Sequence, residues 1–292
     1  MGGAVTHAVA FRTAAARHSF GRWQSSALLY VPALVLLVPV FVIPTVSLLA
    51  LSFGGPSGAF GNYADMMASP LARTVFLRSF RVAATVTAIS VLIGVPFVMV
   101  AYRAGPRLRA TLLGVVVASL FFSVIVRAYA WLAILGHEGP VVGVLGWLGM
   151  NTDGLSLSRS GFAVTVGLVQ YGAPFMVLAI WDVLRRVDTE LDRAAATLGA
   201  GPVVRFRRVT FPLIAPGIIA GSTIVFTTTL GYFVIPAILG SPRNQMIGEL
   251  ISAQVGRTMN WGLGAALATT LLVVSLAIVV VFRGLTDRIG KV

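Results

Sequence analysis

The stretch "LDRAAATLGAGPVVRFRRVTFPLIAPG" occupies Leu191–Gly217, between two long apolar runs. Just before it, Asp188 or Thr189 can cap a helix, and Glu190 and Asp192 fall in the first turn, where the helix dipole favours negative charge. Leu191, Ala194, Ala195 and Leu198 follow at i, i+3, i+4 and i+7 and share one face of a short helix. Two alanines keep that face low. Gly199 is placed to end the helix with a positive φ. Pro202 opens a second short helix carrying Arg205, Arg207 and Arg208, with Phe206 and Val209 free to face lipid or protein. Pro212 and Pro216 mark the passage into the next apolar run. A low small-residue face suits a groove on another protein. The arginines suit anionic lipid equally well.

The chain around this stretch has 292 residues, 57% hydrophobic and 11% charged, with a mean hydropathy of +0.92. Soluble domains are about a quarter charged, so the balance indicates a membrane protein. The net charge of +13 would suggest nucleic acid in a soluble chain. Here the arginines fall between apolar runs and read as topology signals, not as a nucleic-acid surface. Cysteine is absent, which excludes a disulfide framework and thiolate metal sites.

About 20 apolar residues cross a bilayer as a helix. Runs of that kind lie at Ala27–Phe53, Phe80–Tyr102, Thr111–Leu135, Gly161–Leu184, Pro216–Leu239 and Gly262–Phe282. They are continuously apolar, not alternating, which predicts helices and not a barrel. The first run is too long for a signal-peptide core and is expected to remain as a span. Basic residues then set the orientation. Fifteen flank one side (the N-terminal tail, 103–109, 185–208 and the C-terminal end), six flank the other, and Arg127 falls inside a span. The side with more arginines faces the cytoplasm. The expected fold is an all-α membrane protein with six transmembrane helices and both termini cytoplasmic. Its parts are a tail at 1–26, a membrane domain at 27–284 with the loop at about 188–215, and a tail at 285–292.

Prolines 32, 39, 44, 96 and 174 interrupt the runs, either as packing kinks or as hinges of a gate. Gly217 and Gly221, and the small residues from Gly262 to Ala268, permit close helix approach, within the chain or to a partner.

Several chemistries lack their residues. The one lysine is Lys291, so no Gly-Lys-Ser/Thr phosphate loop exists. The three histidines, His7, His18 and His137, form no paired-histidine zinc helix, and no base stands near a serine at depth. All nine acids lie outside the span centres, leaving no carrier for proton coupling. Neither an enzyme nor a metal or cofactor site is expected; sodium coupling through backbone carbonyls stays open, and otherwise, if the chain transports a solute, the energy is expected from another subunit.

The quoted stretch resembles the signature loop of permease subunits of binding-protein-dependent ABC importers, whose pattern is Glu-Ala-Ala, three residues, Gly, nine residues, Ile, one residue, Leu-Pro. Ala194, Ala195 and Gly199 match, Val209 stands for the isoleucine, and Phe211-Pro212 for the Leu-Pro. Arg193 replaces the glutamate. The resemblance covers about Leu28 to Arg283 and implies the type I ABC importer permease fold in a bacterial cytoplasmic (inner) membrane. In that family the loop is the coupling helix that docks into the ATPase, which implies coupling roles for Leu191, Arg193, Ala194, Ala195, Leu198, Gly199 and Pro212. If Arg193 touches that subunit, an acidic residue is expected opposite it. The implied partners are two copies of an ATP-binding subunit, a second permease, an extracytoplasmic solute-binding protein and membrane lipid.

"VRAYAWLAILGHEGPV" (Val126–Val141), "GYFVIPAILGSPRNQMIGELI" (Gly231–Ile251) and "NWGLGAAL" (Asn260–Leu267) are similar to the first-named permease of spermidine/putrescine-type importers, a subfamily that also serves other small organic solutes. A polyamine is a cation, and aromatic faces attract cations at roughly 0.5–2 kcal/mol each. Tyr129, Trp131, Tyr171 and Tyr232 are the candidates for such a path, or are interfacial anchors and core fillers. Arg127 either lines the path, where it repels a polyamine and welcomes an anion, or donates to freed carbonyls or Gln170. The rival reading is a self-sufficient channel or secondary transporter whose loop binds lipid.

Overall fold

The computed structural model describes residues 31, 34–55, 58–150, 154, 156–187 and 195–289. Two compact units divide the chain, Met1–Leu51 and Ser52–Val292. Among the described residues every regular element is a helix. Five helices are long and apolar enough to cross a membrane, and a bent pair taken as one span makes six.

In the first unit, α1 (Leu34–Ser52) runs helical through Pro39 and Pro44. Thr45 Oγ1 donates to the Phe41 carbonyl at 2.7 Å, beside the donor that Pro44 lacks.

The second unit begins with a short helix, α2 (Gly61–Ala68), and then α3 (Pro70–Arg103). The Ser69 hydroxyl accepts from the Ala72 N–H at 3.3 Å and Pro70 takes the first helical turn. This cap starts the helix well before the expected Phe80, so Arg73 and Arg78 ride on a helix and not in a loop. The expected third span is corrected more deeply. It is two helices, α4 (Pro106–Leu120) and α5 (Val124–Ile134), bent by 100°. Phe121 turns its N–H back to the Ala118 carbonyl, and Ser123 takes a non-helical ψ of 129°. No proline or glycine lies at 121–123, so no local breaker announces the bend.

After α6 (Pro140–Trp147), α7 (Gly161–Leu184) is capped by Ser160, whose hydroxyl accepts from the Ala163 N–H at 3.2 Å. Then α8 (Pro202–Leu230) carries a π turn at Phe206–Thr210. Pro212 has no N–H for the Arg208 carbonyl and its ring crowds that oxygen, so the backbone widens and the Phe211 N–H reaches the Phe206 carbonyl instead. The fifth run was expected to stay helical to Leu239, but α8 stops at Leu230 and α9 (Val234–Leu239) starts afresh. Pro236 has no N–H to give Tyr232, which favours the interruption. The remaining helices are α10 (Ile247–Gly256) and α11 (Trp261–Ile289).

The core is the mutual packing of α3, α7 and α8, with Val86, Leu168, Met176, Ile180, Ile214 and Val225 buried in it. Lipid is as apolar as this core, so close packing and not burial holds the helices together. Gly217 and Gly221 do this within the chain. A Cβ on Gly217 would stand 2.9 Å from the Ala179 carbonyl, and one on Gly221 would stand 2.7 Å from Met176 Sδ. At the start of α11, Gly262 lies against the Asn62 amide and Gly264 against Val255 in the same way. A second cluster, of Met66, Val75, Ile247, Leu250 and Leu267, joins α2, α3, α10 and α11. Outward faces keep large apolar side chains exposed, such as Leu92 and Val280, as a lipid-facing surface requires.

Arginines also tie helix ends together. Arg109 donates to the carbonyls of Ala101, Tyr102 and Ala104 and lies 5.7 Å from the Trp181 ring centroid, which gathers the ends of α3 and α7 and the start of α4. Asp182 pairs with Arg185 and Arg186 beside them. Near the start of α3, Arg78 Nη1 donates to the Gln245 carbonyl at 3.1 Å.

Candidate functional site

Leu191, Arg193 and Ala194 of the expected coupling helix lie outside the described residues, as does its cap at 188–190. From Ala195 the chain is helical through residue 197. Gly199 takes a φ of +80°, as the spacing predicted. Its N–H bonds the Ala196 carbonyl at 3.0 Å, and the Ala200 N–H reaches the Ala195 carbonyl at 3.1 Å. These two bonds are the Schellman closure, which satisfies carbonyls that a helix end leaves open. Leu198 stands 87% exposed beside the turn. It is an apolar side chain with no cover from the described residues. Pro202 opens a helix as expected, but not the separate short one before a span starting at Pro216: it runs on as α8, with Pro212 at the junction behind the π turn. Arg207 and Arg208, with Val203 and Val204, line a cleft of about 350 Å³.

The five residues expected along a solute path separate into a cluster, a neighbour and an outlier. Tyr171 on α7 and Tyr232 in the break between α8 and α9 pack with ring centroids 4.6 Å apart. Arg127 on α5 lies with Cζ 5.7 Å from the Tyr171 ring centroid. Phe175, one turn along α7, extends the aromatic row at 5.5 Å from Tyr171, a member that sequence reasoning did not name. Trp131, one turn on from Arg127, donates its indole N–H to Gln170 Oε1 at 3.3 Å. Gln170, suggested as a partner of Arg127, accepts from Trp131, and Arg127 lies over the Tyr171 face. Trp131 and Gln170 also line an apolar groove of about 690 Å³ between α3, α5 and α7. Tyr129 is 58% exposed and stands apart from the cluster.

Arg127 Nη1 is buried and has no hydrogen-bond partner. Both ion pairs among the described residues are made by Asp182, so no carboxylate offsets this charge there. A charge deep in a span costs on the order of 2.5–3.5 kcal/mol, and one aromatic face returns only about 0.5–2 kcal/mol.

Sequence reasoning also missed what holds the break in place. The Ile247 N–H donates to Ser79 Oγ at 2.9 Å, and Arg78 holds the Gln245 carbonyl. The carbonyls of Gly231 and Tyr232 both lie 3.0 Å from where a Cβ on Gly248 would stand. So α10 is pinned to α3 on one side and lies against the broken segment on the other. These partners are far apart in the chain, and no local signal links them. Glu249 Oε2 accepts from the Met246 N–H at 2.9 Å at the start of α10, outside the spans. Burial pushes its carboxyl above the usual range, against the pull of that N–H and of Arg78. Glu249 lines a polar cleft of about 320 Å³ together with Arg159, Phe233 and Arg257.

The comparisons agree with this architecture. The family described as "Binding-protein-dependent transport system inner membrane component" matches residues 9–289. The spermidine/putrescine transport system permease protein PotB of Haemophilus influenzae is 30% identical over 249 residues, covering 82% of this chain and 87% of that protein. The inner membrane ABC transporter permease protein YdcU of Escherichia coli K12 is 31% identical over 235 residues, 76% of this chain and 73% of its own length. Among solved structures, a chain of a bacterial alginate ABC transporter, in complex with its alginate pentasaccharide-bound periplasmic protein, superposes with a TM-score of 0.73 at 19% identity. That match covers 94% of this chain and 98% of the other, and it establishes the likeness of fold.

Proposed function

The chain belongs to the family of inner membrane components of binding-protein-dependent transport systems, and on that premise we propose that it forms the path for a small organic solute, a polyamine such as spermidine or putrescine or a related compound. The observation that carries the importer reading is the family match across residues 9–289. The polyamine reading is supported by the PotB relative at 30% identity. The membrane domain spans 27–284, and the short tails at 1–26 and 285–292 face the cytoplasm with the loop at about 188–215.

A pair of ATP-binding subunits drives the path through the helix at 191–199, and Arg193 faces an acidic residue of that subunit. Leu191, Ala194, Ala195 and Leu198 supply the docking face, Gly199 its turn, and Pro212 the stiff passage into α8. What supports this is the closed turn at Gly199 with Leu198 uncovered beside it, since an apolar residue left uncovered on a defined turn suits a partner's groove. A second permease completes the path, a binding protein delivers solute from the other side, and lipid surrounds the outer faces. The chain performs no reaction of its own.

Reconstitution tests the scheme. The purified chain alone in liposomes is expected to pass no solute, with or without ATP. The full assembly is expected to take up solute only with ATP. ATP-independent flux through the lone chain would establish the channel or carrier reading instead.

A further inference from the structure

Arg127 holds its guanidinium over Tyr171, and Tyr171 packs on Tyr232 at the point where the backbone between α8 and α9 is broken. One guanidinium nitrogen is buried and unpartnered. A buried donor of full charge is costly unless something accepts from it. The acids whose side chains the structure describes do not serve: Asp182 is engaged by Arg185 and Arg186, and Glu249 by the Met246 N–H. Asp65 lies on α2 and Glu138 beyond the end of α5, and neither forms an ion pair. One residue past Tyr232, Phe233 lines the polar cleft whose charged walls are Arg159, Arg257 and Glu249. There too arginine outnumbers carboxylate. Two neighbouring places along one broken segment therefore carry an excess of positive charge.

We propose that Arg127 reads an anionic group on the transported solute, a carboxylate or another oxyanion, and that a plain diamine or polyamine is refused at this point. The inference rests on the importer reading and, within it, selects the related compounds over the polyamines themselves. The aromatic row of Phe175, Tyr171 and Tyr232 supplies apolar and cation-attracting faces for the rest of the molecule. Planar guanidinium supplies the fork that a carboxylate fits. An amine chain bearing one acidic group satisfies both.

The absence of cysteine makes a direct test possible. A Tyr232→Cys variant, assembled in the complete importer in membranes, places the one thiol of this chain beside Arg127. Its reaction rates with anionic sulfonatoethyl and cationic trimethylammonioethyl methanethiosulfonate are each divided by the reagent's rate with a free simple thiol. The anionic reagent is expected to be favoured. Arg127→Gln in the same background is expected to lower that preference by about tenfold or more, and Arg127→Lys to keep most of it. Trp131→Cys gives a second reporter, should the first variant fail to assemble.

A preference unchanged by Arg127→Gln overturns the proposal, since it means that a partner carboxylate already neutralises the arginine. A thiol that reacts with neither reagent in any nucleotide state overturns it as well. The importer reading fails separately: it requires the absolute rates to change when ATP binds, whereas the charge preference does not.

Discussion

At residue 199 the backbone holds a φ of +80° with nothing within 4 Å of where a Cβ would stand. Space is therefore not what selects glycine here; conformation is. A non-glycine residue in the left-handed region costs roughly 1–2 kcal/mol, and a β-branched one is the worst case. Gly199→Val should assemble and hold the membrane fold, because no core residue touches it, yet the turn that aims 191–198 would be lost. ATP hydrolysis by the complete importer is then expected to continue while uptake falls to background. Paired ATPase and uptake measurements on the same membranes check this, and wild-type uptake would discard the coupling role. The turn itself was readable from Gly199 beside an alanine-rich face. Arg127 was readable only as a charge in an apolar run. Its partner was not, because Tyr171 is brought to it by α7 and not by sequence spacing.

Among the elements, α7 and α8 meet backbone to backbone at Gly217, where a Cβ would stand 3.0 Å from the Ile180 Cα and 2.9 Å from the Ala179 oxygen. Both are backbone atoms and cannot swing aside. Gly217→Leu is expected to force the helices apart and to cost about 1–3 kcal/mol, read as a lowered melting temperature in detergent. Gly114→Leu on α4 is the control, because nothing lies within 4 Å of that position, and replacing glycine in a helix interior even favours the helix. Equal melting temperatures for the two variants would refute the packing argument. The start of α7 at Gly161 was legible at this scale, but the Ser69 cap that starts α3 ten residues before the expected Phe80 was not read from the sequence. The bend between α4 and α5 was not, since 121–123 holds neither proline nor glycine and a nearly right-angled turn there depends on what packs around it.

For the whole molecule, the charges predict that the end of the bundle holding Arg109, Arg185 and Arg186 faces the cytoplasm, together with both termini. A fluorescent protein fused after Val292 should fluoresce, and alkaline phosphatase inserted at Gly149 should be active. The reverse pattern would invert the topology and remove the 191–199 helix from any cytoplasmic ATPase. The sequence alone determined the class and five of the six expected spans, because apolar length and the near-absence of charge are properties of composition and order. It also determined the turn at Gly199 and the opening of α8 at Pro202, because one residue's allowed φ is a local matter. Only the tertiary structure decided where the runs break, which glycines meet within the chain, and that Arg127, Tyr171 and Tyr232 form one cluster. Those outcomes depend on contacts between helices far apart in the chain, and hydrophobicity in a bilayer does not rank them, since every apolar face there is equally at ease with lipid.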